Sequence, residues 1–521
     1  MIYHIHSIRD LMALPAGELQ AGDAAILLGY DHPGDIVMQL LWQPDCTYSH
    51  NGGTIIAPAL SVDRTELCGQ EVAGMLPGQV SAQPPPGRWL LLHNGIGDFR
   101  YFGIFGSEHP ADEALEAMVN DPAIKRIDAY TDLRFKQRHK FYRSELDLDF
   151  HNCTVTADGI QQAQHNDPFG AVMHFSGTLT EDIQQLTLTA PLKELEDMFE
   201  VKDSGAFQLY DWWVVSVNRL TGREEKEIDK LLMVTEILDA THVRFNYKMG
   251  WELEQGRVLT YQKVEPVRRV NVRNMVFWGN DGGEERGAQP LALEYAVECN
   301  ASGLQAYHTY WPVIMRRHNT HYVTERCSLT NPVEVVVGGT GYLTQQIHCL
   351  YGKVRDCTTS NARHLNDFTG SAYCMVENCH GDGDYHGAFV THGQFEHDLT
   401  YIGNSGLISF ANSGSPWGES ARRIAVKRHS GCWMIAHAKV SDLTLEDVHV
   451  VKTLNYPQCG TMLINADGVQ IRGCSADKLI FTQRSVRSRR PNIVQDCHFT
   501  DGIETVSQGE NAVISNITIR E

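Results

Sequence analysis

Positive charge is what this sequence has least of for its size. Its 521 residues carry 44 Lys and Arg against 64 Asp and Glu, a net charge of -20. A phosphate backbone attracts basic side chains, and no basic block offsets this balance, so no nucleic-acid partner and no anionic membrane surface is expected. No apolar run approaches the ~20 residues that span a bilayer, so membrane insertion is not expected. The start, MIYHIHSIRDLMALPAGEL, lacks the basic and apolar regions of a signal peptide, which points to synthesis in a cytosol. No GxGxxG precedes a helix, so no nucleotide cofactor is expected. The 13 cysteines are an odd number without a CxxC pair, which argues against a disulfide framework or a tetrahedral zinc site. Buried free thiols remain as the reading, with no metal and no cofactor.

What is present is a repeat. Two polar residues recur after an apolar one and before a Cys or another apolar residue. The phrase reads VRNM to Met275, VEC to Cys299, TERC to Cys327, VRDC to Cys357, VENC to Cys379, VKRH to His429, LEDV to Val448, IRGC to Cys474, VQDC to Cys497 and ISNI to Ile517. With Asn404 in the same slot, the steps run from 19 to 30 residues. Short β-type pieces such as LTLEDVHV and GVQIRGC surround the phrase, with no amphipathic helical stretch between them. Repeats of this length stack as a solenoid, here an all-β, right-handed, single-stranded parallel β-helix whose cysteines fill the interior. Earlier coils are visible in LDLDFHNC and MHFSGT. Residues 1–110 read as a Gly/Pro-rich head, 111–194 as the first coils, 195–265 as a small β-rich insertion and 266–521 as the main β-helix.

The head carries IRDLMALPAGELQAGDAAILLGYDHPGD, then LWQPD, NGGTIIAP and PGRW. This segment resembles the N-terminal part of pectate-lyase-like β-helix proteins of the phage tailspike and pre-neck-appendage type. A glycine run that follows PGD in that family is replaced here by IVMQLLW, while Asn51-Gly52-Gly53-Thr54 survives, so the head is expected to cap the solenoid. YDWWVVSVNR and VEPVRRVNVRNMVF also look like the family. The resemblance implies a polysaccharide partner, a homotrimer, and action on a virion surface or after release.

On a β-helix, neighbouring coils lie about 4.8 Å apart, so residues remote in sequence become neighbours. In the proteins the head resembles, the strand after the phrase and its loops form the substrate groove, and the resemblance implies that the segments 312–319, 333–339, 363–368, 386–393, 407–414, 433–438 and 461–466 stack as groove strands. Arg316, Arg317, His318, His364, Asp367, His392, Asn412 and His437 are expected along one face. Twelve of the 24 histidines fall between residues 300 and 450. Clustered titratable groups in a concave site are candidates for function.

Hydrolysis needs a carboxylic acid and a carboxylate, about 5 Å apart for retention and about 6.5 to 9.5 Å for inversion. Asp367 and Asp384 are the leading pair, with Asp382, Asp398 or Glu419 as replacements. Elimination needs a base, a cation for the uronate carboxyl and an acid, roles open to His386 or His392, to Arg317 or Arg422, and to Tyr385. Trp417 offers a ring for a sugar. The six-residue spacing of His380, His386 and His392 matches no common metal motif. Hydrolysis leads, β-elimination is the alternative, and a non-catalytic glycan-binding spike is the reading from another class.

Overall fold

The computed structural model describes residues 1–59, 86–157, 160, 169–280, 287–383, 387–410, 421–452, 458–482, 488, 490–505 and 512–519. Two compact units divide them: one comprises Met1–Gln137, Glu145–Gly159 and Val272–Val276, the other the remainder.

The first unit holds a five-stranded sheet in the order Ile2–Ile5, Ala24–Leu27, Met38–Gln43, Arg88–Leu91, Ile55–Ile56. Leu27, Leu40, Trp42, Ile56 and Trp89 form its core, the two tryptophan rings 5.4 Å apart. The quoted head motifs build one loop cluster. Asp35 of PGD accepts the N–H groups of Tyr30, Asp31, His32 and Ile36, and Asn51 of NGG accepts those of Gly53 and Ile55. The Tyr30 hydroxyl donates to the Gly52 carbonyl at 2.8 Å, which ties the two motifs together.

The second unit is a right-handed parallel β-helix with three sheets. The first runs through Leu291–Val297, Ile314–Thr320, Tyr342–Ile347, His364–Thr369, Phe389–Thr391 and Ile408–Phe410. The second contains Val323–Glu325, Lys353–Arg355, Met375–Glu377 and His397–Ile402. The third contains Gln305–Tyr307, Ser328–Thr330, Thr358–Ala362 and His380–Gly383.

The recurring phrase marks the turn from the second sheet to the third. Its residue before the Cys slot lies in the left-handed region, as at Asp356 (φ 54), Asn378 (φ 51) and Asp496 (φ 54), and this reverses the chain without a longer loop. The slot itself points inward. Cys327, Cys357, Cys379 and Cys474 are buried free thiols there. Asn404 occupies it as expected, accepting the Cys379 N–H at 2.8 Å and donating to the Val376 carbonyl at 3.0 Å. Cys299 does not. It follows Glu298 (φ 57) directly after the first-sheet strand Leu291–Val297, and Gly303-Leu304 fills the slot in that coil. Glycine at the left-handed position removed the polar signature there.

The insertion is an antiparallel six-stranded sheet in the order Thr178–Thr187, Val258–Glu265, Trp212–Val217, Asp229–Asp239, His242–Phe245, Met198–Glu200. It begins at 178 rather than 195, because TLTEDIQQLT is exposed on both faces along most of its length and shows no apolar alternation. Phe199, Trp213, Val215, Phe245 and Tyr261 pack in one cluster with Leu350 and Ala372 of the β-helix, so the insertion shares a core with the coils it covers.

Candidate active site

Alternation along the first sheet decides which side chains leave the solenoid. Ile314, Thr344, Asn366 and Phe389 are level with one another, and so are Arg316, Gln346, Phe368 and Thr391. Arg316 therefore points inward, against expectation. Fully buried, it donates to the Cys299 carbonyl, Asn319 and Thr324 and lies 4.3 Å over the Tyr322 ring. The other parity faces out and brings Met315, Gln345, Asp367 and Val390 into one row.

Asp367 is fully buried, and its Oδ2 meets His392 Nε2 at 2.9 Å. Gln345 adds a donor at 3.4 Å from the preceding strand. The His392 ring remains a quarter exposed. Burial alone would lower its pKa, but the charge and hydrogen bond of Asp367, with Glu396 behind, raise it above the ordinary histidine value. Glu396 accepts the N–H groups of Gly370, His392, Gly393 and Gln394, which fixes the loop that carries His392.

Two strands earlier on the same face, Arg317 donates to Glu294 through Nε at 2.7 Å and through a second nitrogen, and lies 4.3 Å over the Phe169 ring. Burial pushes the Glu294 carboxyl up, but His174 and Arg317 bring it down to about 2. His318 Nε2 meets Asp229 of the insertion at 2.8 Å, and its ring stacks against Tyr295 and His348. His348, lowered to about 3 chiefly by burial, comes 3.8 Å from Glu225 of the insertion. Lys230, fully buried, donates to the Gly370 carbonyl.

Asp367, His392, Arg317 and His318 thus share a face. His364 does not offer itself to a ligand: it is buried, bonded to the Gly387 carbonyl, and lowered to about 3 by burial. Arg422 is no clamp for a substrate. It belongs to a strand paired with His397, donates to Glu194 at 2.6 Å and lies 4.1 Å over the Trp251 ring, so it braces the insertion. Asp398 is held by His397 and Arg423, and Asp382 lies on the third sheet, where it accepts the Asn361 N–H. His380 also lies on the third sheet, bonded to Ser405. The segment 333–339 is a loop, because Glu334 captures the N–H groups of residues 335–337; Tyr342–Ile347 is the strand of that coil. Asp384, Tyr385, His386, Asn412, Trp417 and Glu419 lie outside the described residues, as does the His437 side chain.

Glu225, Asp229, Glu294, His174 and His348 went unread in the sequence. Glu225 and Asp229 lie in the charged stretch GREEKEID that separates two strands of the insertion. Among the described residues one group could gather on a cation, Asp128, Asp149 and His151 of the first unit. Arg126 already holds Asp128 at 2.8 Å and Asn274 holds Asp149 at 3.0 Å.

No protein-family model matches the chain, and no curated protein does. Among solved structures the chain is similar to the tailspike gp61 of Pseudomonas phage phi297, at 12% identity and a TM-score of 0.57, over 82% of this chain and 75% of that one. It is also similar to the gp54 tailspike of Acinetobacter baumannii bacteriophage AP22, whose structure is a complex with a capsular saccharide, at 11% identity and a TM-score of 0.52, over 81% and 79%. At this identity the likeness is one of fold.

Proposed function

We propose that this chain is a polysaccharide depolymerase that cleaves glycosidic bonds along the outward face of the first sheet. The observation that carries the reading is the Asp367–His392 pair: a partly exposed imidazole held against a buried carboxylate, on the side of the fold where Arg317 also emerges. Such a pair gives an acid–base group a fixed orientation and a proton to donate. Asp367 then acts through His392, since no surface of its own carboxylate is open to a sugar. Hydrolysis is the favoured reaction. Elimination needs a cation to neutralise a uronate carboxyl, and the candidates are already committed, Arg317 to Glu294 and Arg422 to Glu194.

The similarity in fold to a tailspike bound to a capsular saccharide supports a glycan as the ligand. By the same resemblance the working form is a homotrimer at a virion surface or released from it, which light scattering in solution tests.

The deciding experiment incubates the purified protein with a panel of bacterial and plant polysaccharides. New reducing ends without the ultraviolet absorbance of an unsaturated uronate are expected. Absorbance appearing in step with the reducing ends would move the assignment to a lyase. Unchanged chain length on every glycan bound would make the protein a binding spike.

A further inference from the structure

The hairpin at residues 218–228 carries a carboxyl to the edge of this face. It joins Trp212–Val217 to Asp229–Asp239, and Arg257 fixes both its ends, donating to the Asn218 carbonyl at 2.5 Å and to Glu227 through two hydrogen bonds of 2.7 Å, while Asp229 just beyond is held by His318 at 2.8 Å. Within the hairpin Glu225 stands 3.8 Å from His348 Nε2, its side chain 22% exposed. His348 follows the strand Tyr342–Ile347, as His392 follows Phe389–Thr391, so both rings leave the same edge of the first sheet. Ile347 is level with Thr369, and Phe368 with Thr391, which sets the two histidines two strands apart. Two strand spacings are roughly 10 Å. That spacing is between the two rings; Glu225 stands beside the first, and inverting cleavage likewise keeps its two groups apart, by about 6.5 to 9.5 Å, to leave room for a water beside the sugar.

We propose that Glu225, supplied by the insertion, is the water-activating base of this site, opposite His392 as the acid. The inference rests on the reading of the face as a glycan-cleaving groove. Water attacks the anomeric carbon and its proton passes to the Glu225 carboxylate. The bond from that carbon to the glycosidic oxygen breaks, and the His392 imidazolium donates its proton to the departing oxygen. One water is consumed, and exchange with solvent restores both groups.

The charged and titratable groups facing Glu225 are His348, Arg219, Asp229, Lys230 and Glu396, and those facing His392 are Asp367, Glu396, Arg363 and His364. Burial, with Asp229 and Glu396, holds the Glu225 carboxyl above its ordinary value. His392 is held above its own.

The test is Glu225→Gln in the full chain, assayed on a glycan that the unaltered protein cleaves. The expected result is a fall in kcat of about 100-fold or more with KM little changed, and loss of the acidic limb of the pH–rate profile. Proton NMR of the first product from the unaltered protein should show inversion at the anomeric carbon, a readout independent of whether the variant folds. Retained anomeric configuration, an unsaturated product, or a Glu225→Gln variant within threefold of normal activity overturns the role of Glu225 while leaving a depolymerase. An unaltered protein that cleaves nothing overturns the underlying reading, and the role of Glu225 with it.

Discussion

Asp367 and His392 stand on neighbouring strands and each alters what the other can do. The carboxylate favours the imidazolium, and without it burial would drive the His392 pKa down. Asp367→Asn keeps the shape and removes the charge. It should lower kcat by about 100-fold and move the alkaline limb of the pH–rate profile to lower pH, because the acid loses its proton earlier. An unchanged limb in that profile would separate Asp367 from the acid. Glu396 is a positioning residue by the same logic. Glu396→Gln sets an amide NH2 among four backbone N–H groups, so a loss of about 3 kcal/mol in denaturant unfolding is expected, with His392 less well held. At this scale the sequence was only half legible. The run Arg316-Arg317-His318 announces polar chemistry, but one step of alternation sends Arg316 into the core and Arg317 out, and only the register of the strands sets that parity.

The coil is the element of this fold, and its turn has a rule the sequence displays openly. Asn, Asp and Gly sit at the left-handed position in most coils, for they adopt it at least cost. Asn378 also donates to Asp356 of the preceding coil at 2.6 Å, so the position builds a ladder along the solenoid. Arg428 (φ 49) occupies it with a long, exposed side chain. Arg428→Asn is therefore expected to stabilise the protein by about 1 kcal/mol, measured as a rise in the urea midpoint. A fall in that midpoint would mean that Arg428 holds the turn by other means. The same rule explains why the period could be read without homologues. It also explains the exceptions: Gly303 hides the phrase by being too plain, and residues 333–339 imitate a strand until the Glu334 carboxylate takes their N–H groups.

Across the second unit, what holds the insertion to the β-helix joins residues far apart in the chain. His318 and Asp229 are 89 residues apart, Lys230 and Gly370 are 140, Arg422 and Glu194 are 228. No local pattern marks such pairs, which is why the insertion's share of the candidate site was invisible in the sequence while the solenoid was plain. The same packing buries histidines. His348 and His364 are lowered to about 3, and His397 and His429 to about 4, each chiefly by burial. In the unfolded chain all four titrate near 6.5. As pH falls below about 6.5 the unfolded chain takes up protons that the folded chain refuses, so folding loses stability on the acid side, and the loss runs on until the folded groups titrate near 3 to 4. His392, Glu225 and Glu396 are raised and work the other way, but His392 is one imidazole against four and the two carboxyls start from the carboxylate range, below this window. The melting midpoint should therefore fall from pH 7 to pH 5. His429→Gln, which keeps a donor for the Gly406 carbonyl and cannot titrate, should make that fall shallower by about one proton's worth, ~1.4 kcal/mol per pH unit. Calorimetry across the window measures both. A midpoint that holds level from pH 7 to 5 would mean that these rings are not buried neutral, and a His429→Gln slope equal to the parent's would remove His429 from the four.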